Sequence, residues 1–138
     1  MNAERSFECR PEAVTAARRF VRDALGGEST EVMDAAELMA SELTSNCVRH
    51  GGTGFDVSVL VGEEIKVEVC DSGGGRPRPL SPGPDEPSGR GLLIVAAMSA
   101  DWGVESRGEG KKVWFTLARS PGARLTRGAR ACGAGRGA

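Results

Sequence analysis

Hydrophobic positions along the chain follow two periods, one suited to strands and one to helices. Arg5–Arg10 alternates, with Phe7 and Cys9 on one face, and predicts a short strand. Pro11 suits the first turn of a helix, and Val14, Ala17, Val21 and Ala24–Leu25 then recur at helical spacing until Gly26-Gly27 stops them. A second helix starts at Ser29 or Thr30, either of which can cap it, and runs to about His50, before Gly51-Gly52. Its apolar stripe is Met33, Ala36, Met39–Ala40, Leu43 and Cys47. Two alternating runs, Phe55–Val61 and Ile65–Cys70, flank Gly62-Glu63-Glu64 and predict an antiparallel hairpin. Asp71–Gly91 is dense in glycine and proline, with Leu80 its one large apolar residue. It reads as a long loop, with regular structure resuming near Gly89. Gly91–Met98 opens a strongly apolar third helix. Trp102–Ser106 and Val113–Leu117 follow as strands, with Arg107–Lys112 as their turn.

The order β-α-α-β-β-loop-α-β-β predicts an α/β (α+β) two-layer sandwich. Its sheet would be mixed but largely antiparallel, with three helices on one face. A chain of 138 residues has room for one core. It holds no run near the ~20 apolar residues that a membrane-crossing helix needs. Met1–Arg10 is charged throughout and lacks the apolar centre of a signal peptide, so a cytoplasmic location is expected. The four cysteines form no CxxC pair, and His50 is the single histidine, which argues against a zinc site and a disulfide framework. Cys9, Cys47 and Cys70 sit among apolar residues and read as buried spacers.

A net charge of −1 conceals an asymmetry. From Arg119 onward there are five arginines and no acid, which leaves 13 basic against 19 acidic residues, or −6, in residues 1–118. An acidic body argues against direct nucleic-acid binding. The expected organisation is a folded domain over 1–118 and a disordered Arg/Gly/Ala-rich tail over 119–138.

Three segments carry candidate chemistry, although each alone also fits a plain structural role. Glu42 and Asn46 are four residues apart and share a helix face offset from the Leu43/Cys47 stripe. A glutamate there can take a proton from a nucleophile, and an asparagine oxygen suits a Mg²⁺ held mainly by phosphates. Asp71-Ser72-Gly73-Gly74-Gly75 follows a strand directly. Its carboxylate can accept a hydrogen bond from an exocyclic amine, and the glycines let backbone approach a planar ring. Ser88-Gly89-Arg90-Gly91 opens a helix, where free N–H groups and Arg90 can meet an anion. None of this is a Walker loop or a complete Rossmann fingerprint.

Taken in order, these segments resemble the GHKL superfamily of ATP-binding domains found in gyrases, heat-shock chaperones, histidine kinases and mismatch-repair proteins. The chain is most similar to the small stand-alone anti-sigma factor serine/threonine kinases. The matching residues are Glu42–Asn46 with His50-Gly51, Val69–Gly75, Ser88–Leu92 and Val113-Trp114-Phe115, within a resemblance that spans roughly residues 5–118.

The resemblance implies a histidine kinase-like ATPase fold that uses ATP and Mg²⁺. Asp71 would recognise the adenine amino group, Asn46 would hold Mg²⁺, and Glu42 would be the catalytic base. Gly73, Gly75, Gly89, Arg90 and Gly91 would border the nucleotide. The implied partners are a sigma factor and a STAS-type anti-anti-sigma protein, the latter phosphorylated on serine or threonine to regulate transcription. Homodimer formation is left open. Two departures stand out. Pro87 occupies a place where the family often has a basic residue, and Lys112 stands where a threonine is common near the adenine. They motivate an alternative reading, an ATP-dependent partner-binding switch with little or no phosphotransfer.

Overall fold

A computed structural model describes residues 2–50, 54–71, 87–108 and 110–119. Its elements are β1 (Asn2–Phe7), α1 (Glu12–Ala24), α2 (Thr30–His50), β2 (Phe55–Val61), β3 (Glu64–Asp71), α3 (Pro87–Met98), β4 (Asp101–Arg107) and β5 (Gly110–Ala118). The five strands form one sheet in the order β1-β2-β3-β5-β4. Every pairing among them is antiparallel, so the sheet is not mixed. Two hairpins, β2–β3 and β4–β5, account for this. After α3 the chain runs out along the edge as β4 and returns as β5 beside β3, and no parallel crossover is needed.

The predicted alternation of β2 and β3 is what buries one face of the sheet. Phe55, Val57 and Val59 face the core from β2, and Ile65, Val67 and Val69 from β3. Phe115 and Leu117 continue that face on β5. Against it pack Ala17, Val21 and Leu25 from the α1 region, Ala36, Met39, Ala40 and Leu43 from α2, and Val95 from α3. Each fully buried large apolar side chain contributes about 1.5–3 kcal/mol, which makes this layer contact the main source of stability. Ser29 caps α2 by accepting a bond from the Val32 N–H at 3.2 Å. No described helix is long and apolar enough to cross a membrane.

Three boundaries differ from the sequence reading. β1 is Asn2–Phe7, not Arg5–Arg10. Phe7 pairs with Phe55 and stacks on its ring at 5.4 Å, while the Arg10 N–H bonds the Glu8 carbonyl in a turn. As an edge strand, β1 takes its register from the β2 backbone and little from its own polar sequence. α3 begins at Pro87, four residues before Gly91. Proline is at home in a first helical turn because its missing N–H has no bond to lose there. The β4–β5 turn is also tighter than Arg107–Lys112, and Gly108 supplies it with a φ of +60°.

Arg119, assigned by composition to the tail, is tied to the body. Its guanidinium pairs with the buried Glu28 carboxylate at 2.8 Å and donates to the Gly62 carbonyl at 3.1 Å. Residues 120–138 lie outside the described residues.

On the sheet face away from the helices, the Trp114 ring lies across Gly103, with the Lys66 ammonium 4.8 Å from the ring centroid. A Cβ at position 103 would come within 2.6 Å of the indole. Gly103→Ala must therefore move Trp114, and we expect it to destabilise the protein by about 1–3 kcal/mol. A lower melting temperature, with a shift in the emission of the two tryptophans, checks this. An unchanged melt would contradict it.

Candidate functional site

Helical spacing places Glu42 and Asn46 on one face of α2, beside the buried stripe of Met39, Leu43 and the half-buried Cys47. Both residues are themselves half-buried. Asp71, also half-buried, is the last residue of β3. Alternation through Ile65, Val67 and Val69 sets Asp71 on the helix-facing side of the sheet. Its partner across the ladder is Lys111 of β5, and Val69 pairs in the same way with Val113.

α2 crosses both β3 and β5. Electrostatics fix where the end of the strand meets the helix. Burial, with a smaller push from the Asp71 charge and against the opposing Lys111 charge, raises the Cys47 thiol to about 12. The residue next to Asn46 on α2 thus senses both members of the Asp71–Lys111 pair. The far end of β3 and the near end of β5 lie under the C-terminal half of α2. Cys47 stays a protonated thiol near neutral pH, consistent with its reading as a spacer rather than a nucleophile. Cys9, Cys47 and Cys70 are all unbridged and half-buried, and Cys9 Sγ contacts the Val48 carbonyl at 3.5 Å.

Among the described residues, the side chains of Glu42, Asn46 and Asp71 make no hydrogen bond or ion pair. Glu42 and Asn46 share one face of α2 and Asp71 ends the strand that α2 contacts, so their hydrogen-bonding groups are open to water or to a ligand. The donor set suits a purine nucleotide with its metal: a carboxylate that accepts from an exocyclic amine, a neutral amide oxygen for a hard cation, and a second carboxylate for a proton. The described residues contain no cluster of three or more carboxylate, histidine or cysteine groups able to hold a metal. A cation bound at this corner would thus draw most of its ligands from phosphate oxygens, with Asn46 as the protein's contribution.

The third predicted segment is only partly described. Gly89, Arg90 and Gly91 lie inside α3 and not ahead of it. The N–H groups of Ser88 and Gly89 fall in the first turn, where no intrahelical acceptor exists, so the anion-binding potential belongs to the helix end itself. α3 packs against α2. Gly73 and Gly75 lie outside the described residues. The position of Pro87 at the start of α3 gives it a structural role of its own.

Lys112 does not face this corner. It pairs across the ladder with Cys70, and its ammonium lies 3.6 Å from Glu68 and 3.9 Å from Glu105 on the open face of the sheet. The cation on the helix side is Lys111, one residue earlier, which the sequence reading missed. Counting back in twos from Leu117 through Phe115 and Val113 reaches Lys111, and that was the available signal. A separate shallow groove on α1 and α2, lined by Arg18, Asp34, Glu37, Leu38 and Ser41, includes none of the site residues. Its rim is held by Arg22, which bonds Glu37 at 3.0 Å.

Comparison with known proteins bears on the family and the fold. The histidine kinase-like ATPase domain family matches residues 7–117. Among solved structures, the RsbU and RsbW domains of Rv1364c from Mycobacterium tuberculosis superpose with a TM-score of 0.70 at 18% identity. The superposition covers 92% of this chain and 35% of that one, so this chain spans about a third of its neighbour's length. No curated protein sequence matches. The family match, which runs across both α2 and the β3 end that carries Asp71, places the protein in the histidine kinase-like ATPase domain family.

Proposed function

We propose that the protein is a Mg²⁺-ATP-dependent serine/threonine kinase acting as an anti-sigma factor. It would hold a sigma factor inactive and phosphorylate a STAS-type antagonist to set its own release. The observation that carries this reading is that Glu42 and Asn46 share a face of α2, which contacts the strand ended by Asp71, and that none of the three side chains has a hydrogen bond or ion pair among the described residues. The RsbW fold of a solved neighbour supports the anti-sigma setting.

Asp71 accepts a hydrogen bond from the adenine amino group and so fixes the base at the sheet end. Asn46 offers its amide oxygen toward the metal, which when bound neutralises phosphate charge. Glu42 accepts the proton of the incoming serine or threonine hydroxyl. The hydroxyl oxygen bonds to the γ-phosphorus as the bond to the β-phosphate oxygen breaks, and ADP departs with that electron pair. Phosphoryl transfer consists mostly of positioning and charge neutralisation, so this small set is sufficient.

The alternative switch reading rested on Pro87 and Lys112. Pro87 is accounted for by the start of α3, and Lys112 by its pairing with Glu68. These roles supply neither a phosphate-facing charge nor an adenine-side threonine, so phosphotransfer itself separates the two readings. Incubation with γ-labelled ATP and a candidate STAS protein is expected to label a serine or threonine of that protein. Absence of label on any such partner, with ATP binding intact, would overturn the kinase and leave the switch. Asn46→Ala is expected to abolish mainly the Mg²⁺-dependent part of ATP affinity. Titrations with and without Mg²⁺ check this, and an equal loss in both would contradict the role.

A further inference from the structure

We propose that Lys111 reads the base alongside Asp71, donating a hydrogen bond to the purine ring nitrogen next to the exocyclic amine. This rests on the nucleotide reading above and deepens it. Asp71 and Lys111 are direct partners across the β3–β5 ladder, so their Cβ atoms stand about 4.5–5.5 Å apart on the same face of the sheet. That face is the one covered by α2. Both charges bear on Cys47 of α2, in keeping with the packing of α2 on β3 and β5.

Opposed Lys and Asp side chains on a ladder commonly close on one another, yet these two form no ion pair. Lys112, one position on, is by contrast engaged by two carboxylates. An acceptor and a donor, side by side and unengaged, match two adjacent atoms of adenine, the N6 amino donor and the N1 acceptor. The carboxylate takes the first and the ammonium the second. A charge-assisted hydrogen bond of this kind corresponds to about 10- to 100-fold in affinity. A hypoxanthine or guanine ring carries a proton on N1, so the ammonium meets another donor there and loses that bond.

The test is a set of titrations of the full chain with ATP and with 1-deaza-ATP, whose ring has a C–H in place of N1. Lys111→Met is expected to weaken ATP binding about tenfold and to leave 1-deaza-ATP binding unchanged. Lys111→Arg, which keeps a donor, should recover most of the ATP affinity, and Lys112→Met should change neither ligand. Position 111 is exposed, so these variants are expected to fold, and circular dichroism confirms it. An equal loss on both nucleotides would mean that Lys111 acts only as a diffuse charge, and would overturn the proposal. So would no loss on either. If instead the unmodified protein binds neither nucleotide, or Asp71→Asn is without effect, the nucleotide reading itself fails, and the two failures remain distinct.

Discussion

Asp71→Asn is expected to weaken binding of ATP, ADP and AMP by about 10- to 100-fold each, the range for losing a charged hydrogen bond in a partly desolvated site. The equality across the three is the informative part. Asp71 ends β3 on the face under α2, and its side chain makes no hydrogen bond or ion pair among the described residues. The base is common to all three ligands and the phosphates are not. A loss confined to ATP would put Asp71 at the phosphates. A collapse in melting temperature would make it a structural residue. Calorimetric titration of the three nucleotides, with a thermal melt of the variant, separates these results.

Glu42→Gln is expected to slow phosphotransfer about 10²- to 10⁴-fold, the usual contribution of a positioned general base. ATP affinity should stay near that of the unmodified chain. The glutamine keeps the size of the side chain and its place one helical turn before Asn46 but cannot take a proton. Glu42 is half-buried, and the change removes no hydrogen bond or ion pair among the described residues. Single-turnover labelling of a STAS-type substrate at saturating ATP measures the step directly. If transfer persists at full rate, another group takes the proton. If partner binding is controlled by ATP in this variant as before, and transfer never occurs in either protein, the switch describes the chain better.

Elements with a strong period of their own were legible in the sequence. β2 and β3 bury alternate residues as expected, and α1 and α2 carry their apolar positions three and four apart. β1 was displaced because Asn2–Ser6 contains no apolar alternation, and an edge strand needs only a backbone partner. The start of α3 was hidden by Gly89 and Gly91, residues that weaken a helix without forbidding it when Pro87 leads and Leu92–Val95 pack behind. Of the site, Glu42, Asn46 and Asp71 could be chosen from spacing and order, since helix and strand periods set their faces. Lys111 could be separated from Lys112 by the alternation of Val113, Phe115 and Leu117, and it was missed because β5 starts at Gly110, three residues ahead of the apolar run that marks the strand in the sequence. The contact between Gly103 and Trp114 was unreadable, because it joins two strands whose register only the folded ladder defines.

The central claim is that the corner of α2 and the end of β3 holds an adenosine phosphate. Titration of the purified chain with ATP at millimolar Mg²⁺, against inorganic triphosphate as the base-free control, tests it most directly. One saturable site for ATP, with the control much weaker, is the predicted result. A flat titration with ATP, or equal binding of both ligands, would contradict the account.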